Sequence, residues 1–246
     1  MRKTARVMGM AVTIEVPQLK NESVVKAAFD RLRAIDRQFS PYKKNSELSK
    51  YNRGELNELT LSPEMKFILH ACRRAEEKTD GYFSAWYGDS CDPSGYVKGW
   101  AIAEAGRVLE SKGQKTYSIY AGGDILCRSS SDKIWKIGIQ DPTDKQRILN
   151  KLSISNGAVA TSGNYERGGH IINPKTKKPA DEILSITVVG PDIISADVLA
   201  TAAFAMGKKG IDFVKKQKDY EALAVTREVV RNDFLARQTH FKQGLP

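Results

Sequence analysis

The sequence predicts an α+β fold, because helical periodicity gathers in the first half of the chain and short strand-like runs gather in the second. The two kinds of segment do not alternate in the βαβ rhythm of a doubly wound sheet. A single compact domain is expected, since 246 residues can bury a real core without staples and no repeat, low-complexity tract or linker interrupts them.

Taken in order, residues 6–16 (ARVMGMAVTIE) alternate loosely and stop at Pro17, which predicts a strand. Val25, Ala28, Phe29, Leu32, Ile35 and Phe39 then recur at helical spacing, giving a helix over about 22–38 that breaks at Ser40-Pro41-Tyr42. Ser62 followed by Pro63 is a helix start, a capping hydroxyl before a proline at the first helical position. Met65, Ile68, Leu69, Cys72 and Ala75 form the apolar stripe of that helix, and Asp80-Gly81 ends it. A further helix is expected from about 94 to 111, closed by Lys112-Gly113. Short β-branched or apolar runs at 117–121, 134–139, 158–161, 170–172, 183–189 and 222–225 read as strands. Between the last two, residues 195–206 read as a helix closed by Gly207, and 209–216 as one or two amphipathic turns.

Composition excludes several classes. With 41% hydrophobic and 28% charged residues the chain is neither collagen-like, coiled-coil nor disordered. The net charge of +10 favours an anionic partner. A nucleic-acid binder is not expected, for there is no aromatic RNP-type motif and no basic helix with spaced readers. The three cysteines, Cys72, Cys91 and Cys127, lie far apart without a C-x-x-C pair, which argues against a disulfide framework and a zinc ribbon. No run of 18 apolar residues occurs, so no membrane span is expected. The N-terminus lacks a signal-like apolar region, and reduced thiols suit a cytoplasmic setting.

Standard dinucleotide and P-loop fingerprints are missing, as are G-x-S-x-G and H-E-x-x-H. What remains is Asp197 and Thr201, spaced i, i+4 on one helix face, where a carboxylate and a hydroxyl come within roughly 6 Å. Two hard oxygens beside an open position suit Mg²⁺. An aspartate near the helix start and a threonine bonding its own backbone explain the same spacing. Residues 120–124 (YAGGD) run a strand into Gly122-Gly123 and an acid, which allows close approach of a phosphate or ring, or simply a hairpin turn. Residues 92–99 (DPSGYVKG) feed a helix whose N-terminus favours an anion, with Lys98 one turn in; a capped helix with a solvated lysine is the plainer reading. His170, after a glycine pair, is either a general base near neutral pH or a strand-end side chain. His70 and His240 carry no assigned role, and the lysines of 175–178 and 215–218 read as solvated faces.

Taken together and in order, these segments resemble the ApbE family of FAD:protein FMN transferases. The resemblance rests on Met8-Gly9, residues 40–43 (SPYK) with 45–49 (NSELS), 79–83 (TDGYF), 92–99 and 121–124 (AGGD). It continues through 135–142 (WKIGIQDP), 158–163 (AVATSG), 170–174 (HIINP) and 185–206. It implies a T-fold-like β-rich core with flanking helices, and FAD held in an open cleft. It further implies Mg²⁺-dependent transfer of FMN from FAD, through its phosphate, to a Thr or Ser hydroxyl of an acceptor flavoprotein, with AMP released. By the same resemblance Asp197, Thr201 and the Gly95 carbonyl are metal ligands. Met8, Tyr42, Tyr82, Phe83, Asp92, Lys98, Gly122, Gly123 and Ile171 fall at FAD-contacting positions, and His170 is the candidate base for the acceptor hydroxyl.

Three departures stand out. Only residues 82–91 separate the T-D-G and D-x-S-G blocks, where the family commonly has a long insert. Ser84 and Asn173 stand where the family usually has Asp. Two rival functions use the same residues: an Mg²⁺-dependent FAD pyrophosphatase, with water in place of the acceptor hydroxyl, and a flavin carrier without turnover.

Overall fold

The computed structural model describes residues 1–88, 90–164 and 171–226. In chain order the elements are β1 (Arg2–Val7), β2 (Met10–Glu15), α1 (Glu22–Phe39), α2 (Glu47–Asn52), α3 (Pro63–Lys78), β3 (Trp86–Tyr87), β4 (Ser90–Cys91) and α4 (Ser94–Ser111). Then follow β5 (Tyr117–Ala121), β6 (Asp124–Arg128), β7 (Trp135–Gln140), β8 (Ile148–Ile154), β9 (Gly157–Gly163), β10 (Ile172–Asn173) and β11 (Lys178–Pro179). The described part closes with β12 (Ser185–Gly190), α5 (Ile193–Met206), α6 (Lys209–Lys215) and β13 (Glu221–Val225). The expected α+β class holds.

Seven strands form one antiparallel sheet in the order β1-β2-β5-β6-β9-β12-β13. The N-terminal hairpin and the last described strand thus lie at opposite edges of the same sheet. Period-2 alternation divides its side chains between two faces. Leu126, Ala158, Ala160, Ile186 and Val188 join the main core under the helices. Cys127, Val159 and Val189 face the other way, against Trp135, Ile137, Ile139, Leu152 and Ile154 of the β7–β8 hairpin. Covered on both faces, β12 is buried along its whole length.

The helix starts follow the local chemistry. Asn21 Oδ1 accepts from Ser23 N at α1, and Ser62 Oγ accepts from Met65 N at α3 with Pro63 leading. α5 differs from the amphipathic α1 and α3. Ile193, Ala196, Val198, Leu199, Ala200, Ala202, Ala203, Phe204 and Ala205 are all buried, so it is wrapped by protein almost all round. Burying a Leu, Val or Phe side chain contributes about 1.5–3 kcal/mol. A helix seated this deeply can hold a charge that would otherwise pull it into water.

Several expectations need correction. The predicted strand over 6–16 is a hairpin: β1 and β2 are joined by a turn in which Met8 and Gly9 take φ of 54° and 73°. α2, β3, β4, β6, β8 and β11 were not anticipated. The 170–172 strand is present only as Ile172–Asn173, with residue 170 outside the described residues. Lys175 is exposed, in keeping with a solvated face, and also makes two contacts. Its Nζ lies 2.6 Å from Asp80 Oδ2 and 4.4 Å from the Tyr82 ring centroid, joining two segments that the sequence singled out separately.

The three thiols are free and buried. Burial pushes Cys91 and Cys127 up from an ordinary 9.0 to about 12, and Cys72 above its ordinary value as well. A thiol raised in the fold ionises first in the unfolded chain. Its stabilising contribution is therefore whole below about pH 9 and is lost as pH climbs towards 12. A chromogenic disulfide reagent at pH 8 should find essentially no thiol in the folded protein and all three in denaturant, with stability declining above about pH 9.

Candidate functional site

The site is built where α4 crosses α5 against the inward face of β6. Gly99 on α4 makes the crossing possible. A Cβ there would stand 2.9 Å from the Ile193 carbonyl oxygen, 3.0 Å from Ile194 Cα and 3.1 Å from Asp197 Cβ. The close approach lets the Gly99 N–H donate to Asp197 Oδ2 at 2.9 Å. One turn earlier, a Cβ on Gly95 would lie 3.1 Å from the Phe83 ring and 3.8 Å from Thr201 Oγ1. Gly95, about a hundred residues from Asp197 and Thr201 in sequence, shares one helix–helix seam with them.

Asp197 is 1% exposed and is the only charged residue among those of α5. An isolated buried charge would cost several kcal/mol, so its partners decide whether the helix can be there. Lys98 Nζ stands 3.2 Å from Asp197 Oδ1 and 2.9 Å from Asp124 Oδ2. Asp124, at the start of β6, is wholly buried, and its Oδ1 accepts from Thr161 N on β9 at 3.1 Å. Its Oδ2 is sealed from water and faces the Lys98 ammonium as its ion-pair partner.

Burial works against charge on all three groups. It opposes the Lys98 ammonium, yet Asp124 and Asp197 outweigh it and hold the lysine above its ordinary range. Burial raises the Asp197 carboxyl most; Lys98 pulls it back and Asp124 adds to the rise, leaving it above the usual carboxylate range. The Asp124 carboxyl is also raised by burial, against the pull of Lys98 and the Thr161 N–H. One ammonium between two carboxylates leaves the cluster short of positive charge. A divalent cation would meet that need: Asp197 carries a hard oxygen at the cluster, and Thr201, another hard oxygen, faces Gly95 across the seam. The donor set therefore fits Mg²⁺. It contains a single carboxylate, and among the described residues no group of three His, Cys, Asp or Glu side chains forms a metal cluster.

Two glycine turns flank this seam at one end of the sheet. The Met8-Gly9 turn joins β1 to β2, and the Gly122-Gly123 turn joins β5 to β6, with Val12 opposite Ala121 between them. Gly122 has φ of 56°, and a Cβ there would stand 2.7 Å from Met10 Sδ, so the two turns are in contact. Phe83 is buried beside Gly95, and Asp92 Oδ1 accepts from Ser94 N at the first turn of α4. Met8, Tyr82 and Ile171 are half-buried against the main core. Tyr42 is not drawn in: it is 90% exposed between α1 and α2. His170 lies outside the described residues.

The two substituted acids have local roles. Asn173 Nδ2 donates to the Ala205 carbonyl near the end of α5 at 2.9 Å, a bond an ionised aspartate could not make, while its Oδ1 accepts from Lys175 N. Ser84 Oγ accepts from Trp86 N at 3.1 Å and shapes the entry to β3. The short 82–91 segment is fastened by Asn52, whose side chain bonds both the N–H and the carbonyl of Cys91. A cleft of about 460 Å³ lined by Tyr51, Asn52, Leu56 and Trp86 lies beside this segment, away from the Lys98–Asp197 seam. Asp124 was the residue that sequence reasoning left without a role. Its one signal in the sequence is the position of an acid directly after a glycine pair.

The ApbE family model matches residues 8–91 and 87–224. The chain belongs to the ApbE family. Among relatives, the FAD:protein FMN transferase of Escherichia coli K12 is 28% identical over 149 residues, covering 56% of this chain and 42% of that protein. The chain thus matches less than half the length of that curated relative. The FAD:protein FMN transferase of Vibrio cholerae is 25% identical over 259 residues, covering 80% of this chain and 77% of that one. In fold, this ApbE-family chain superposes on the ApbE protein of Thermotoga maritima with a TM-score of 0.81 at 22% identity, over 93% of this chain and 94% of the other.

A methyl group at position 99 tests the seam. Gly99→Ala should lower unfolding free energy in denaturant by about 1–3 kcal/mol, since the two nearest contacts it meets are backbone atoms that cannot swing aside.

Proposed function

We propose that this protein transfers FMN from FAD to a Thr or Ser hydroxyl of an acceptor flavoprotein, with Mg²⁺ bound by Asp197, Thr201 and the Gly95 carbonyl. The observation that supports it best is the meeting of those three residues on one seam beside an under-neutralised ion cluster, in a chain whose relatives are named for this reaction. In the reaction the acceptor oxygen bonds to the phosphorus of the FMN half, and the pyrophosphate P–O bond breaks. AMP leaves with the bonding electron pair, and the hydroxyl proton passes to a base.

Phosphoryl transfer asks a protein for positioning and charge neutralisation more than for covalent chemistry. Bound Mg²⁺ would act as a Lewis acid on phosphate oxygen. The protein's own part is to present donors. Asp197 is held by the Gly99 N–H and Lys98, and Thr201 is carried on the same face of α5. The Gly122-Gly123 turn and Gly9 offer backbone free of side chains to the flavin nucleotide, with Met8, Tyr82 and Ile171 as half-buried apolar surface, Phe83 packed beside Gly95 and Asp92 at the first turn of α4. His170 is assigned to accept the acceptor proton.

The test mixes purified protein with FAD, Mg²⁺ and a flavin-competent cell extract, followed by denaturing electrophoresis and AMP measurement. A fluorescent protein band that disappears with EDTA is expected, together with AMP. Steady AMP without a band would replace transfer by FAD hydrolysis, and bound FAD with neither product would favour a carrier. Asp197→Ala should cut metal-dependent AMP release by about 100-fold or more, because several kcal/mol of transition-state stabilisation go with the metal. His170→Ala should slow transfer while leaving FAD affinity nearly unchanged; equal loss of both would make His170 a cofactor contact.

A further inference from the structure

We infer that Asp124 sets the strength of the metal site without being a ligand in it: its buried carboxylate shares the Lys98 ammonium, which would otherwise neutralise Asp197, and so keeps one negative charge for a divalent cation. The inference rests on the metal reading proposed above and adds a residue outside the ligand set.

Three observations carry it. The lysine sits closer to Asp124 than to Asp197, at 2.9 Å against 3.2 Å. Asp124 is fixed, with no exposure, its Oδ1 tied to Thr161 N and its Cα paired in the β5–β6 ladder opposite Ala121. Its second oxygen has no water-facing surface and meets only the Lys98 ammonium, 2.9 Å away, so the charge of that oxygen acts on the lysine. A buried carboxylate kept in this condition is costly unless its charge is used. Were Lys98 and Asp197 alone, the pair would be neutral and a divalent ion would have to displace the lysine. With Asp124 present, the cluster of two carboxylates and one ammonium is anionic as a whole once both carboxyls are ionised, the state a divalent cation would favour.

The opposite consequences of two near-isosteric substitutions separate this role from simple structural support. Asp124→Asn keeps the shape and the acceptor for Thr161 N but removes the charge. Lys98→Met removes the cation. Charges a few ångströms from a divalent ion outweigh one hydrogen bond, so Asp124→Asn should weaken Mg²⁺ binding about tenfold or more. Lys98→Met should bind Mg²⁺ at least as tightly as the wild type, and its melting temperature should rise on adding Mg²⁺ by more than that of the wild type.

The experiment is calorimetric titration of the wild type, Asp124→Asn, Lys98→Met and Asp197→Ala with MgCl₂, without flavin, alongside thermal melts. Asp124→Asn binding as the wild type does would overturn the inference. So would Lys98→Met losing affinity, which would mean that the lysine orders the ligands rather than competing for them. If Asp124→Asn fails to fold, the direction of the Lys98→Met change alone decides. Failure of the underlying metal reading looks different: either the wild type takes up no Mg²⁺ or Asp197→Ala binds as well as the wild type does.

Discussion

The need to bury Asp197 governs the architecture around it. α5 is apolar on nearly every side, and its one acid lies where water does not reach. Such a helix packs well without the acid, and burying a lone carboxylate costs several kcal/mol. The fold answers with three devices. Gly99 lets α4 come close enough to give a backbone N–H, Lys98 supplies a cation from the same helix, and the β6 strand brings Asp124 beneath the lysine. Remove the close crossing and both the packing of α5 and the candidate ligand set fail together.

The sheet is the frame for this arrangement. Antiparallel order places the β1–β2 and β5–β6 turns at one end, and strand alternation turns Asp124 inward while Ile125 and Cys127 pack against the β7–β8 hairpin. The site is thus assembled from a helix seam and a sheet end, with segments 79–83 and 171–175 bound to each other by Lys175. Asn173 fits the same scheme: an amide can donate to the end of α5 where a carboxylate could only repel its carbonyls. A departure from the family's usual aspartate has become a fastening for the helix that carries the candidate ligands.

Legibility in the sequence followed the range of the interactions involved. α1, α3, α4 and α5 were readable because their stripes and the Ser62-Pro63 cap are encoded within a few residues. The N-terminal hairpin was not, since alternation runs on through Met8-Gly9 and only the positive φ values reveal the reversal. α2 is six residues long, capped by Ser46 and pinned by buried Leu48, too short to show a period. For the site, Asp197 and Thr201 were visible as an i, i+4 pair and Gly95 through the family's motif. Asp124 was hidden because its partners come from α4 and β9, and only the folded sheet sets them side by side. Tyr42, also a motif residue, stands exposed between α1 and α2.

On the proposed function, the seam of α4 and α5 would hold a divalent cation between the Gly95 carbonyl, Asp197 and Thr201. The most direct test is an anomalous difference map from crystals grown with Mn²⁺ and FAD. The account predicts one strong peak at bonding distance from an Asp197 carboxylate oxygen, Thr201 Oγ1 and the Gly95 carbonyl. A well-occupied peak elsewhere, with FAD bound and this seam empty, would contradict it.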